Sequence, residues 1–263
     1  MTFQVLISTM NQADFQLLDR MNVQSDAVII NQCDKNSIKE FNYNGHTIKW
    51  VNMSNRGVGL SRNTALFYAT ADIILFADDD VTYTDGYAQE VVSAFQNNKK
   101  ADMICFNINL VNSIKNFGYR DNKSNKRLNL LNSMRYGACR IAARRRVLLK
   151  NRISFSLLFG GGTEFSSGED SLFIRDCYNK KMKLYAYSYT LGVVDDSQSS
   201  WFNGVQDKLF IDRGILLYNA FPILHFLLYF YYAFRLKKIA SNYGIRKILN
   251  LFYKGKKLIK QYR

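Results

Sequence analysis

The sequence predicts an α/β protein, a mixed and mostly parallel sheet flanked by helices, carrying an apolar and basic helical extension at its C-terminal end. Apolar runs of strand length alternate with helix-compatible stretches from Phe3 to Tyr187, the pattern of a sheet assembled from βαβ units. The runs are continuous, as expected of strands covered on both faces. The extension is marked by charge: no acidic residue follows Asp212, and ten bases lie from Arg235 to the last residue. Of the net charge of +15, only five charges belong to residues 1–234, so the excess is local.

Phe3–Ser8 and Asp26–Ile30 read as strands around a helix-compatible stretch at Phe15–Met21. Thr47–Val51 and Ile73–Ala77 are strands on either side of a helix at Leu60–Ala69. Asp102–Leu110 and Cys139–Ala143 supply further strands, Ser171–Lys180 is the clearest later helix, and Lys183–Tyr187 is strand-like. Residues 112–134 are polar, basic and aperiodic and read as a long loop. A single proline among 263 residues argues against a linker-rich multidomain chain. The expected division is a body over residues 1–212, in halves 1–100 and 101–212, and a tail over 213–263. The four cysteines form no CxxC pair, and the N-terminal segment lacks the basic region of a signal peptide. These features predict a cytoplasmic protein whose cysteines are small buried apolar residues.

Residues 215–234 are almost uninterrupted apolar and aromatic, followed at once by RLKK. Twenty residues just suffice to cross a bilayer. Asn219, Pro222 and His225 interrupt the run, and basic flanks stay on the cytoplasmic side. The expectation is helices lying in the interface on the inner face of the cell membrane, with the basic tail on an anionic membrane surface. A buried core helix and a true span are the alternatives.

Three segments carry chemistry. Asp78, Asp79 and Asp80 follow the apolar run IILFA, and three adjacent carboxylates at a strand end need a compensating charge. A hard divalent cation supplies one, since Mg²⁺ is typically held by one or two carboxylates plus phosphate oxygens. An acidic turn is the simpler reading. Gly57-Val58-Gly59, with Arg62 and Asn63, opens the preceding helix at a place suited to anionic ligand groups, or is a loop with a Ser61 cap. Gly160 to Asp170 is rich in glycine and serine, which permits close backbone approach and loop movement. Asp170 then opens a helix, as a first-turn acid or as something more.

The succession of NQAD after the first strand, NRGVGLSRN, FADDDV, the glycine loop and GEDSLFIRDCYNKKMKLYAY resembles the inverting family 2 glycosyltransferases of the GT-A fold, over about residues 1–200. The resemblance implies a Rossmann-like sheet, a nucleotide-diphosphate sugar donor (a UDP-sugar) bound by the first half, and an acceptor bound by the second. It implies donor contacts at Ser8, Thr9, Asn11, Arg62, Asn63 and Asp78. Asn31 or Gln32 stands where the family usually carries an acid for the base, and an amide both donates and accepts. It implies Mg²⁺ or Mn²⁺ at the DxD motif. Asp78 and Asp80 satisfy that spacing, whereas matching Val81 to the family's aliphatic residue makes Asp79 the ligand with Asp80 second, the register adopted. Asp195, Asp196 or Gln198 stands near the family's metal-binding histidine, His46 and His225 are read as structural, and Trp201 is a candidate to stack on a sugar. Asp170 becomes the catalytic base, with Glu169 beside it.

The expected activity is inverting transfer of a sugar to a hydroxyl of a lipid-linked or growing glycan acceptor. A nucleotidyltransferase or other nucleotide-sugar enzyme is the first alternative, and a non-enzymatic basic binder of membrane or nucleic acid the second. Nucleic acid is not an expected partner. The basic charge lies outside the α/β body, and strand-end acids repel phosphate.

Overall fold

The computed structural model describes the chain except residues 112–119, 196–205, 239, 241 and 262–263. The first apolar runs form β1 (Phe3–Met10) and β2 (Asp26–Gln32), joined through a single turn of helix, α1 (Leu17–Arg20). A hairpin follows, β3 (Ser37–Tyr43) and β4 (His46–Met53), then α2 (Val58–Tyr68), β5 (Ile73–Asp78), the short β6 (Val81–Tyr83) and α3 (Tyr87–Asn97). The second half contains β7 (Met103–Val111), β8 (Lys126–Arg127), α4 (Leu130–Ser133), a 3₁₀ turn at Ala138–Arg140, β9 (Ile141–Arg144), α5 (Arg145–Lys150), α6 (Glu169–Asn179) and β10 (Leu184–Asp195). Three helices end the chain: α7 (Asp207–Ala220), α8 (His225–Lys237) and α9 (Ile245–Lys260).

The strands form one sheet in the order β3-β4-β2-β1-β5-β9-β7-β10-β6, with β8 pairing to β10. β4, β2, β1, β5, β7 and β10 run one way, and β3, β9, β6 and β8 oppose them. Ser8 lies opposite Asp78 and Thr9 opposite Asn31, so the carboxyl ends of β1, β2 and β5 finish together. In an open α/β sheet that edge is where a ligand crevice forms.

Each central strand buries both faces. Val5, Ile7, Ile29 and Leu75 meet Leu17 and Leu18 of α1 and Val91 and Phe95 of α3 on one side. Leu6, Val28, Ile74 and Phe76 meet Ala65 and Leu66 of α2 and Phe173 and Ile174 of α6 on the other. The continuous apolar runs follow from this double burial.

Several expectations change. The stretch read as a loop from 112 to 134 contains β8 and α4 among its described residues. Asn122 there is buried, giving its side-chain amide to the carbonyls of Cys105 and Tyr187. The apolar run 215–234 is two helices broken at Phe221–Leu224, and the expected boundary at 212 falls inside α7. Ile215 and Leu216 pack with Phe159 and Phe165 of the glycine loop. The interfacial expectation therefore loses this half of the run, because its apolar side chains are spent on the protein. No helix among the described residues is long and apolar enough to cross a membrane. The four cysteines are unpaired, three buried and Cys139 partly so.

Candidate active site

At the strand ends, Arg62 of α2 organises three carboxylates. Its side chain is only 3% exposed. Nη2 donates to Asp78 Oδ1 at 2.7 Å, and Nη1 donates to Asp170 Oδ1 at 2.8 Å and Glu169 Oε1 at 3.1 Å. Its plane lies over Phe155, 5.2 Å from the ring centroid. Burial works against the guanidinium charge, and the three carboxylates outweigh it and hold Arg62 protonated.

Asp170 sits in the first turn of α6, where the helix dipole favours an anion. Its Oδ2 accepts from the Ala138 N–H at 3.1 Å. Burial first, then the charges of Glu169 and Asp78, push its carboxyl up to about 7 against the opposing effects of Arg62 and the Ala138 N–H. The side chain keeps 24% of its surface open. A carboxyl that titrates near neutrality and still reaches solvent is suited to taking a proton from a hydroxyl. Glu169 is more buried and turns Oε2 back onto the Gly168 N–H at 3.0 Å, closing the start of α6.

The segment before this pair is pinned. The Val58 N–H donates to Gly161 O at 3.0 Å, and the Gly160 N–H to Phe165 O at 2.8 Å. Buried Asp212 of α7 accepts from the backbone N–H of Ser166 at 3.1 Å and from its hydroxyl at 2.6 Å. Gly168 has φ +121°, and a Cβ there would stand 2.8 Å from Leu216 Cδ1. The glycines thus serve close packing and a left-handed turn. Gly59 is similar: a Cβ would meet Ser156 O at 2.2 Å, so the GVG segment packs α2 onto the neighbouring loop.

The other expected site residues divide into buried or half-buried and exposed groups. Arg62, expected on the donor diphosphate, is here bonded to three carboxylates. Asn63 gives Nδ2 to Phe155 O and accepts from Phe155 N through Oδ1, which fixes the loop at Phe155. Asn31 is likewise committed to the backbone of Gln12 and to Asn52. Ser8 is buried and accepts from the Ser61 hydroxyl at 2.9 Å. Gln32 is buried too, and its Oε1 finds no partner among the described residues. Buried polar atoms are ordinarily paired, so this one marks a place for a further donor.

Asn11, Asp79 and Asp80 are exposed. The Thr9 hydroxyl donates to Asp79 Oδ2 at 2.5 Å and in turn accepts from Gln12 Nε2 at 2.9 Å. The backbone N–H of Asp195 reaches Asp80 O at 3.3 Å, which brings the end of β10 beside the acidic turn. Asp196, Gln198 and Trp201 lie outside the described residues. Arg56, not singled out in the sequence, spans the ends of β1 and β2, donating to Asn11 Oδ1 at 3.2 Å and pairing with Asp34 at 2.9 Å. Of the two arginines in NRGVGLSRN, Arg56 is the one at the rim. His225 is structural, bonded to Pro222 O at 2.7 Å and to Lys256 at 2.9 Å, and His46 begins β4 far along the sheet edge.

Adjacent exposed carboxylates at a strand end, with a buried arginine hub and a near-neutral acid behind them, stand at the carboxyl edge of a Rossmann-like sheet. Residues 26–153 match the family described as Glycosyl transferase family 2. No curated protein matches it. Solved structures of Staphylococcus aureus TarS share the fold. TarS residues 1–349 superpose with a TM-score of 0.59 at 17% identity, covering 82% of this chain and 64% of that one. The same TarS fragment in complex with UDP-GlcNAc gives 0.61 at 17% identity, covering 84% and 68%. The chain thus spans under two thirds of the first of these structures.

Proposed function

We propose that the protein transfers a sugar from a nucleotide-diphosphate donor to a hydroxyl of a lipid-linked or growing glycan, with inversion at the anomeric carbon. The observation that carries this reading is Asp170: a three-quarters buried carboxylate, raised toward neutrality and held by Arg62 beside the strand-end Asp78, in a chain whose residues 26–153 match glycosyl transferase family 2. Asp170 takes the acceptor proton as the hydroxyl attacks, and Arg62 keeps it oriented and, above about pH 7, ionised. No protein nucleophile is required for inversion.

TarS has been solved with UDP and with UDP-GlcNAc, which makes a UDP-sugar the first donor to try. Gln32, with its unspent acceptor, is the amide that would meet the base, and Arg56 the rim cation near the donor. The two exposed carboxylates Asp79 and Asp80 fit a hard cation such as Mg²⁺ or Mn²⁺, which when bound neutralises the charge of the departing diphosphate.

The test is a donor screen with purified full-length protein, following release of nucleoside diphosphate with and without Mn²⁺ and determining the anomeric configuration of product by NMR. Nucleoside diphosphate with an inverted product supports the proposal. Release of pyrophosphate would instead identify a nucleotidyltransferase, and a retained configuration would remove Asp170 from the role of base.

A further inference from the structure

Among the described residues the C-terminal helices leave one face uncovered, and its composition names its partner. In α8, Tyr229 and Ala233 turn inward onto α9 and α7, where they join Phe210, Ile248 and Phe252. Phe226, Leu227, Phe230, Tyr231 and Phe234 point the other way and are all exposed, Phe234 by 59%. At 100° per residue these five occupy a sector of roughly 140°. Ile223, 83% exposed, and Leu224 prolong it through the turn ahead of the helix.

Isolated exposed apolar residues need no explanation, but seven on one face form a patch of the kind that marks an interaction surface. The same sector ends in Lys237 and Lys238, one turn beyond Phe234, and both are exposed. No acidic residue follows Asp212, so nothing on α8 or α9 offers a counter-charge to an acidic patch's opposite. Aromatic and aliphatic side chains bordered by long basic ones match the boundary of a bilayer, where rings enter the acyl region and lysines reach back to phosphates. A second copy of this chain would bring another set of bases and no acid to the same contact.

We infer that α8, with the Ile223–Leu224 turn, is a membrane-docking face that lies flat on a bilayer rich in anionic lipid. α7 is not part of it, since Ile215, Leu216 and Leu217 are buried within the protein. The helix that touches lipid is therefore joined by one turn to the helix whose Asp212 holds the loop ahead of Asp170. The inference stands apart from the donor chemistry, and its failure leaves that chemistry intact.

The experiment is co-sedimentation of the full chain with vesicles of phosphatidylcholine alone and of phosphatidylcholine with phosphatidylglycerol. Wild type binds the anionic vesicles more tightly, and added salt weakens this without abolishing it, because only the basic contribution is screened. Phe230→Glu with Phe234→Glu lowers partitioning at least tenfold, while thermal melting and turnover of a soluble donor stay at wild-type values. Phe234→Ser alone is the milder variant should the double one fail to fold, and it loses binding in part. Absence of vesicle binding by wild type, or binding unchanged in the variants, overturns the inference. So does a concentration-dependent dimer in sedimentation velocity that the variants dissolve while vesicle binding persists.

Discussion

Arg62 Nη1 lies 2.8 Å from Asp170 Oδ1, across 108 residues of sequence, and that bond joins the two halves of the site. The same guanidinium reaches Asp78 and Glu169, so one cation answers three carboxylates. Arg62→Met removes it and leaves the acids facing one another. Breaking a buried pair in this way typically costs about 3–5 kcal/mol. The loss should be larger at pH 8 than at pH 5.5, because protonation of Asp170 relieves the repulsion. Denaturant titrations at the two pH values check this. Arg62→Lys should recover only part of the stability, since an ammonium cannot present the planar fork that serves three partners.

Asp170→Asn should lower transfer by about 10²–10⁴-fold, the usual range for a general base. In the wild type, kcat/KM should rise with pH and level off above about 7, where the carboxyl has lost its proton. Stability should run the other way. The carboxyl holds its proton more tightly folded, at about 7, than at its ordinary value of 3.8. Between those values the native state binds more protons, so the contribution of Asp170 to stability declines as pH rises through this window. Asp170→Asn should flatten that part of the stability profile. Near-wild-type turnover in the variant would remove Asp170 from the mechanism.

How much of this was legible in the sequence depends on whether the cause was local. β1, β2 and β5 stood out because burial on both faces leaves uninterrupted apolar runs. β3 was missed because it is an exposed edge strand with no such run. The signal available was Asn44-Gly45, whose φ values of +49° and +83° make the hairpin turn. α3 was missed although Val91, Ala94 and Phe95 carry helical spacing. In the site, the strand-end position of the three aspartates and the place of Asp170 at a helix start were readable. The burial of Arg62 and the exposure of Arg56 were not, because which arginine meets the α6 acids is decided by the packing of α2 against a loop 92 residues away.

Asp212 ties α7 to the loop ahead of α6, and its replacement should be felt in the site. Asp212→Asn weakens the acceptance of two hydrogen bonds from Ser166, at a cost on the order of 1–3 kcal/mol for buried polar groups left poorly paired. Hydrogen exchange should quicken in residues 160–168. Combining it with Ser166→Ala should cost less than the two single changes added together, as expected of groups in direct contact. Strict additivity would show that the contact does not hold the loop.

The register of the acidic turn can be decided by separating stability from metal dependence. Asp78 is the partner of buried Arg62, so Asp78→Ala removes one of the hub's bonds and should lower the melting temperature. Asp79 is exposed and, among the described residues, is bonded through the Thr9 hydroxyl. Losing the one bond from the buried Thr9 hydroxyl should cost about 1 kcal/mol, so Asp79→Ala should melt above Asp78→Ala and only slightly below wild type. Its effect belongs to the ligand: calorimetry of a UDP-sugar should show binding strengthened by Mn²⁺ in the wild type and indifferent to Mn²⁺ in Asp79→Ala. EDTA should reduce wild-type affinity to the level of the variant. If Asp78→Ala instead abolishes the Mn²⁺ effect while Asp79→Ala keeps it, the metal is held one residue earlier and Arg62 must release Asp78 when donor binds. If wild-type binding is the same with Mn²⁺ and with EDTA, neither register holds a metal.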